Sequence, residues 1–424
     1  MKVAELVIVD KIIPIFRDNV EASNIEVIRI RTLDGESVEF NIVSGKNLYK
    51  INDRVVYIQP DYCIHDDEND IFGEYLRPGG DPSKSKLGSN GRIKAISFNF
   101  FFANESDKIY SNGIILPISY IESKLNIKID ETTDLQTLLG ITKYVVQEKG
   151  PGSVSGLNEP DNFPWFLSVS DEDRLELKKG LIDKCYEDKV QLGFTQKRDG
   201  SSITLWVKSR NEYGITSRTN AKKLDPMQIT AYKDGEVILH QYQKKTDDGY
   251  ILGWFNNETK TFYTTDEVKE KQFEEVKTYI KDSWVETGNK YMNKLIDFYE
   301  EKGLQLAFRG ELVGQGIQNK SFNPDSKGEL KIIFYGIDDI TSKGKRINYS
   351  SEWNLKTISE YIGLEYTTEL WEGIYDYDGI VKVCNTYFDD MKSKGILVEG
   401  VVIRSKYNNI LSTKYINNFF DSKK

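Results

Sequence analysis

Residues 147–162 read Gln-Glu-Lys-Gly-Pro-Gly-Ser-Val-Ser-Gly-Leu-Asn-Glu-Pro-Asp-Asn, and no other stretch constrains the fold more. Its Gly, Pro and Ser residues carry neither helical periodicity nor strand alternation, so it reads as a linker. A chain of 424 residues is too long for one simple core, and the linker predicts a boundary near residue 150. Before it the chain is strand-rich. Glu26–Arg31 and Val38–Ile42 alternate about a Leu33-Asp34-Gly35-Glu36 turn, the pattern of a hairpin. Asp53–Ile58, Gly91–Phe98 and Gly113–Pro117 read as further short strands, and such a set in about 120 residues suggests a small closed barrel of OB type. Arg92, Lys94 and the aromatics of Phe98–Phe102 would offer charge and stacking to nucleic acid, although the phenylalanines also suit a core.

After the linker, helices and strands mix. Strands are predicted over 192–197, 203–208, 304–312, 330–337 and 397–404. Helical spacing runs over 266–302, 352–362 and 378–394, and 122–145 reads as helical or mixed. Asp-Gly turns at 234–235 and 248–249 mark 230–264 as an inserted hairpin region. The expected class is α+β: an N-terminal OB-type β-barrel over 1–150, then an antiparallel-sheet domain over 151–424.

Composition narrows the chemistry. With only two histidines, His65 and His240, histidine triads and zinc sites are disfavoured, and the chemistry falls to Lys, Arg, Asp and Glu. Cys63, Cys185 and Cys384 are far apart and read as reduced thiols of a cytoplasmic protein. No apolar run reaches the length of a membrane span, and Met1–Leu6 does not read as a signal peptide. The net charge of −9 suits solubility and leaves local basic patches possible.

Five segments then point one way. Phe194-Thr-Gln-Lys197-Arg-Asp199-Gly200 places a lysine amine at a strand end before a tight turn. Such an amine can attack a phosphoryl centre once its proton is removed or its charge is shielded. Gly214–Thr219 ends a strand on Arg218, whose planar fork suits phosphate or ribose. Leu306–Gly316 sets Glu311 on an apolar strand before a Gly-rich turn, suited to sugar hydroxyls or a metal. Lys331–Ile340 is an apolar strand ending in acids, a floor for a base pocket. Gly395–Arg404 interrupts an apolar strand with Glu399, where a carboxylate needs a cation or metal.

In this order the segments resemble the covalent nucleotidyltransferases: ATP-dependent DNA ligases, RNA ligases and mRNA capping enzymes. Phe163-Pro164-Trp165-Phe166, Asp171-Glu172-Asp173-Arg174, Gly73–Leu76, Gly91–Lys94 and Ser111–Pro117 are similar to the RNA ligases with an N-terminal OB domain. No OB domain fits in the residues after Lys414. The resemblance implies an ATP-grasp-like nucleotidyltransferase fold for 151–424 and joining of RNA 3′-OH to 5′-phosphate ends, nicked or juxtaposed, by a monomer. Lys197 would carry AMP. Gln196, Asp199, Arg218, Glu311, Tyr335, Ile337 and Lys414 would bind the nucleotide. Glu399 and Glu311 would hold Mg²⁺ or Mn²⁺, and Arg92 and Lys94 would meet nucleic acid.

Two positions depart from the family. Its adenine-stacking aromatic falls on Ile337, with Tyr335 or Phe334 as substitutes, and one of its final lysine pair falls on Asn409. The alternatives are a DNA ligase or guanylyltransferase of the same superfamily, and a non-catalytic RNA-end-binding protein.

Overall fold

The structure is a computed structural model. It describes residues 3–423 except 66–68, 104, 106, 145–157, 160–162, 170, 225–226, 235–236, 247–248, 280 and 319–321. Most of the expected linker lies outside the described residues. Its Asn158–Glu159 is a strand rather than linker, paired with Ala221–Lys222.

The N-terminal part is built on β1 (Ala4–Ile13), β2 (Ile25–Arg31), β3 (Ser37–Gly45), β4 (Arg54–Ile58) and β5 (Ile114–Pro117). They form one sheet in the order β5-β4-β1-β2-β3. The predicted hairpin is the β2–β3 pair. One side of this sheet buries Val7, Val9, Ile28, Phe40 and Tyr57, and the other buries Leu6, Val56, Ile58 and Leu116. Phe100 and Phe102 pack against Ile15 and Val27, so they are lining for a core and not a stacking platform. Of the predicted strand 91–98 only Ile96–Phe98 is extended.

The remainder opens with β6 (Asp173–Arg174), β7 (Leu192–Lys197), β8 (Ser201–Ser209) and β9 (Glu212–Thr216). An insertion follows: β10 (Met227–Asp234), β11 (Val237–Thr246), β12 (Gly249–Asn256), β13 (Thr261–Tyr263), α1 (Thr265–Glu270) and β14 (Glu274–Tyr279). This is a five-stranded sheet of its own, ordered β13-β12-β11-β10-β14; the expected hairpin region is its β10–β11 and β11–β12 pairs, and the sheet extends beyond it to Tyr279. The helical spacing read across 266–302 is broken by β14. Phe273, one of its apolar markers, packs instead against the insertion's core of Tyr232, Leu239, Trp254 and Val268. Apolar residues three to four apart serve a helix or a strand edge alike.

Then come α2 (Ser283–Lys302), β15 (Leu306–Val313), β16 (Lys331–Asp339), β17 (Glu369–Gly373), α3 (Tyr377–Ser393), β18 (Gly400–Ser405) and β19 (Ser412–Ile416). Helix α2 starts where the Asp282 carboxylate accepts hydrogen bonds from the Trp284 and Val285 amides, and stops at Gly303 with φ +70°. Its Trp284, Met292, Leu295 and Phe298 bury against Ile203, Leu205, Phe308 and Leu312. Strands β9, β8, β15 and β16 lie side by side in a seven-stranded sheet, and β6-β19-β18-β7-β17 form a second sheet of five. All the β7, β8, β15, β16 and β18 ladders are antiparallel, giving the expected α+β class.

Candidate active site

Strands β7 and β8 belong to different sheets and are joined by Arg198-Asp199-Gly200, so Lys197 stands where the two sheets meet. Gly200 permits this: a Cβ there would lie 2.3 Å from the Leu312 carbonyl oxygen. Its amide donates to Glu311 Oε1 at 3.1 Å. The turn is braced from outside. Asn323 Nδ2 donates to the Asp199 carbonyl at 2.8 Å and to Asp199 Oδ2 at 2.9 Å, and Asp325 accepts from the Asp199 amide and pairs with Arg198. Neither Asn323 nor Asp325 was a candidate from the sequence. Their only local signal is the Asn-Pro-Asp turn at 323–325.

Lys197 Nζ lies 2.7 Å from Glu399 Oε2. Glu399 directly precedes β18 rather than interrupting it, because Gly400 is the residue paired with Lys197. Burial opposes the charge of Lys197, but Glu399, Glu311 and Asp199 together outweigh it and hold the amine above its ordinary pKa. Glu311 is pushed up to about 8, first by burial and then by Glu399 and Asp199, against the pull of Lys197. The resting site thus gathers three carboxyl groups around one ammonium, an excess of acidic groups that is relieved by keeping a proton on Glu311 below about pH 8.

That excess fits a divalent cation. Among the described residues no three or more His, Cys, Asp or Glu side chains form a ready cage. A hard cation held by Glu399 and Glu311, with phosphate oxygens and water completing its shell, suits this donor set.

On β7, Gly193 and Thr195 share the face of Lys197, and both line a cavity of about 380 Å³ between the two sheets. That volume lies in the range of small-molecule sites. Tyr335, Gly336, Arg346 and Arg404 also line it. Tyr335 reaches it through a bulge. Arg309 pairs with Gly336 and Gly310 with Phe334, which leaves Tyr335 as the extra residue. Phe334 and Ile337 therefore both turn into the core, fully buried, and Tyr335 alone of the three faces the cavity. Ile337 is corrected accordingly: it packs and does not touch a base. Arg404 stands over the Tyr335 ring and pairs with Glu172, which that guanidinium draws down to about 2 against the opposing effect of burial. Gly336 admits Arg346, since a Cβ would overlap its guanidinium.

A second group of charges lies beside the cavity. Asp171 Oδ2 forms an ion pair with Arg218 at 2.9 Å, Asp171 Oδ1 accepts from Lys414 at 3.2 Å, and Lys143 pairs with the same carboxylate. Three cations on one carboxylate leave net positive charge for an anion. Lys414 sits on the Lys197 face of the sheet, because Lys414 pairs with Val402 and Val402 with Thr195.

Several expected site residues lie elsewhere. Gln196 points to the opposite face of β7, where its Oε1 accepts from the Tyr387 hydroxyl. Asn409 lies in the loop before β19 and donates to the Arg346 carbonyl. The position sharing the Lys414 face is Ser412. Arg92 is buried against Asp61 (2.7 Å) and Asp421 (2.9 Å), and Lys94 donates to the Ser422 carbonyl at 3.2 Å. Arg92 and Lys94 are therefore corrected: they join parts of this chain and do not form a basic surface.

No family model and no curated protein matches the chain. Solved structures do. An aspartate-to-alanine variant of Naegleria gruberi RNA ligase without ligand is 18% identical, covers 100% of this chain and 98% of that one, and superposes with a TM-score of 0.65. A lysine-to-alanine variant of that ligase with ATP and Mn is likewise 18% identical, covering 100% and 99%, with a TM-score of 0.65. A glutamate-to-alanine variant with AMP and Mn gives the same identity, coverage and score. The fold is thus that of these solved RNA ligase structures, shared over the whole chain with the Naegleria gruberi enzyme.

Proposed function

We propose that this chain is an ATP-dependent RNA ligase that works through a lysyl-AMP intermediate. The observation that carries this is Lys197 against Glu399 at 2.7 Å, on the strand face whose Gly193 and Thr195 line a cavity walled by Tyr335, within a fold shared with an RNA ligase solved with ATP and Mn. The adenine ring lies against Tyr335. The phosphates are met by Arg218, Lys414 and Lys143, displacing their contacts to Asp171. Lys197 loses a proton to Glu399, and the neutral amine attacks the α-phosphorus. A P–N bond forms, the bond to the bridging oxygen breaks, and pyrophosphate leaves. The RNA 5′-phosphate then takes AMP from Lys197, and a 3′-OH displaces AMP to form the phosphodiester.

A divalent Mg²⁺ or Mn²⁺ at Glu399 and Glu311 supplies charge neutralisation at the phosphates. Asp199 orients the turn. The rest of catalysis is positioning.

The same reading takes residues 1–150 as an OB-fold nucleic-acid-binding domain and 151–424 as the adenylation domain. The five-stranded antiparallel sheet with two buried faces supports the first assignment. A monomer acting in the cytoplasm on RNA with 5′-phosphate and 3′-OH ends completes the proposal; among the described residues no helix is long and apolar enough to cross a membrane. The test is incubation with α-labelled ATP and Mg²⁺ or Mn²⁺ followed by denaturation. Label retained by the wild type and lost in Lys197→Ala supports the reading. Absence of label in the wild type, or label in the variant, overturns it.

A further inference from the structure

We infer that the inserted sheet, residues 227–279, is a second contact surface for single-stranded RNA, which it holds by base stacking. Directly opposed residues of an antiparallel pair share a face. His240 opposes Phe255, and Phe255 opposes Phe262; Tyr242 opposes Gly253, and Lys233 opposes Ile238. One face of the insertion therefore presents Lys233, His240, Tyr242, Lys244, Phe255 and Phe262. The opposite face carries Tyr232, Leu239 and Trp254 against Val268 of α1, so the insertion already has its core. The aromatic face is extra to that need. Tyr242 is 48% exposed and Ile238 beside it 46%.

The rings form a platform rather than scattered surface residues. Tyr242 and Phe255 have centroids 5.0 Å apart at 32°, and Phe262 lies 6.4 Å from Tyr242. Gly253 makes room for this arrangement, because a Cβ there would lie 2.4 Å from Phe262 Cζ. Lys244 stands over Phe262 at 5.3 Å. Flat π-faces beside lysines, on an open sheet, match what unpaired bases and their phosphates require. A purely apolar protein partner would not use the cations, and a duplex hides its base faces. Glu274 opposes Lys233 at the far edge of the sheet, away from the rings.

The insertion is also well placed. It leaves the transferase sheet at Ala221–Lys222, just after Arg218, and returns at Asp282. At that neck Lys222 Nζ is 3.7 Å from Asp282 Oδ2 and 4.5 Å from the centre of the Trp284 ring, both within the buried interior. A strand lying on the platform would occupy a module joined to the transferase sheet three residues after Arg218. The inference rests on the ligase reading only for the source of that strand, namely an RNA end awaiting joining.

The experiment uses the full chain and a fluorescein-labelled single-stranded RNA 12-mer, with a perfect duplex of the same sequence as control. Binding is followed by anisotropy at two salt concentrations. Tyr242→Ala should weaken single-strand binding about tenfold, while Tyr242→Phe should bind as the wild type does. Lys244→Gln should lower the slope of log Kd against log salt by about 0.7. Lysyl-AMP formation should be unchanged in all three, since none lies in the cleft. Equal single-strand affinity of Tyr242→Ala and wild type, or equal binding of single strand and duplex, overturns the inference. Absence of lysyl-AMP in every protein, with the Tyr242 dependence intact, would sink the ligase reading and leave this surface standing.

Discussion

Lys197 rests as an ammonium held by Glu399, and the proposed reaction needs it as an amine. Lys197→Ala should abolish covalent AMP with no loss of fold, and Lys197→Arg should fail as well because a guanidinium stays protonated. Glu399→Gln keeps the size of the side chain but neither draws off a proton nor holds a cation. Its rate of lysyl-AMP formation, measured by single-turnover labelling, should fall by about 10²-fold; a near-normal rate would restrict Glu399 to hydrogen bonding. Glu311 has a further consequence for stability. Its folded pKa of about 8 stands above the ordinary 4.5, so between these values the folded state binds more proton than the unfolded one. Stability from this group falls as pH rises through that window. Glu311→Gln removes the effect, and its stability relative to wild type, measured by urea unfolding, should therefore increase from pH 5 to pH 8.

At the scale of elements, two local devices set the site. The β16 bulge turns Tyr335 out of the core, and Tyr335→Ala should raise KM for ATP about tenfold with a smaller change in kcat. Steady-state labelling at varied ATP checks this, and an unchanged KM would remove Tyr335 from the base pocket. The 323–325 turn locks Asp199, with Asn323 buried and bonded twice to it. Asn323→Ala should cost about 1–3 kcal/mol of stability, because two buried hydrogen bonds to Asp199 are lost.

Across the whole molecule, the two ends of the chain are tied by charge. Arg92 and Arg174 share Asp61 and Asp421, with both arginines and Asp421 less than a tenth exposed. Arg174 lies on β6, alongside Lys414. Removing one member strands buried charge, so Asp421→Ala should cost about 3–5 kcal/mol and lower Tm on the order of 10 °C. Removing residues 1–150 takes Asp61 and Arg92 together and leaves Arg174 and Asp421 of this network with only each other, at 3.5 Å. Thermal melting of the truncated chain should show at least that loss, and a truncated chain melting with the wild type would mean that the network carries no stability.

The sequence by itself determined the candidate nucleophile, the order of the five segments and the α+β class. Each is a short pattern, an apolar strand ending on a charged residue and a Gly turn, and such patterns are set by neighbours along the chain. The tertiary structure alone decided the rest. A single bulged residue broke the alternation on β16, so Tyr335 faces the cavity while Ile337, on which the family resemblance set the adenine-stacking position, is buried in the core. Arg92 looked like an offered charge because its partner Asp421 lies 329 residues away. The spacing of Phe273 and Val276 suited a helix equally well, until the insertion's sheet supplied an apolar core for Phe273 to enter. In each case the deciding contact joins residues distant in sequence, and burial against that contact outweighs local propensity.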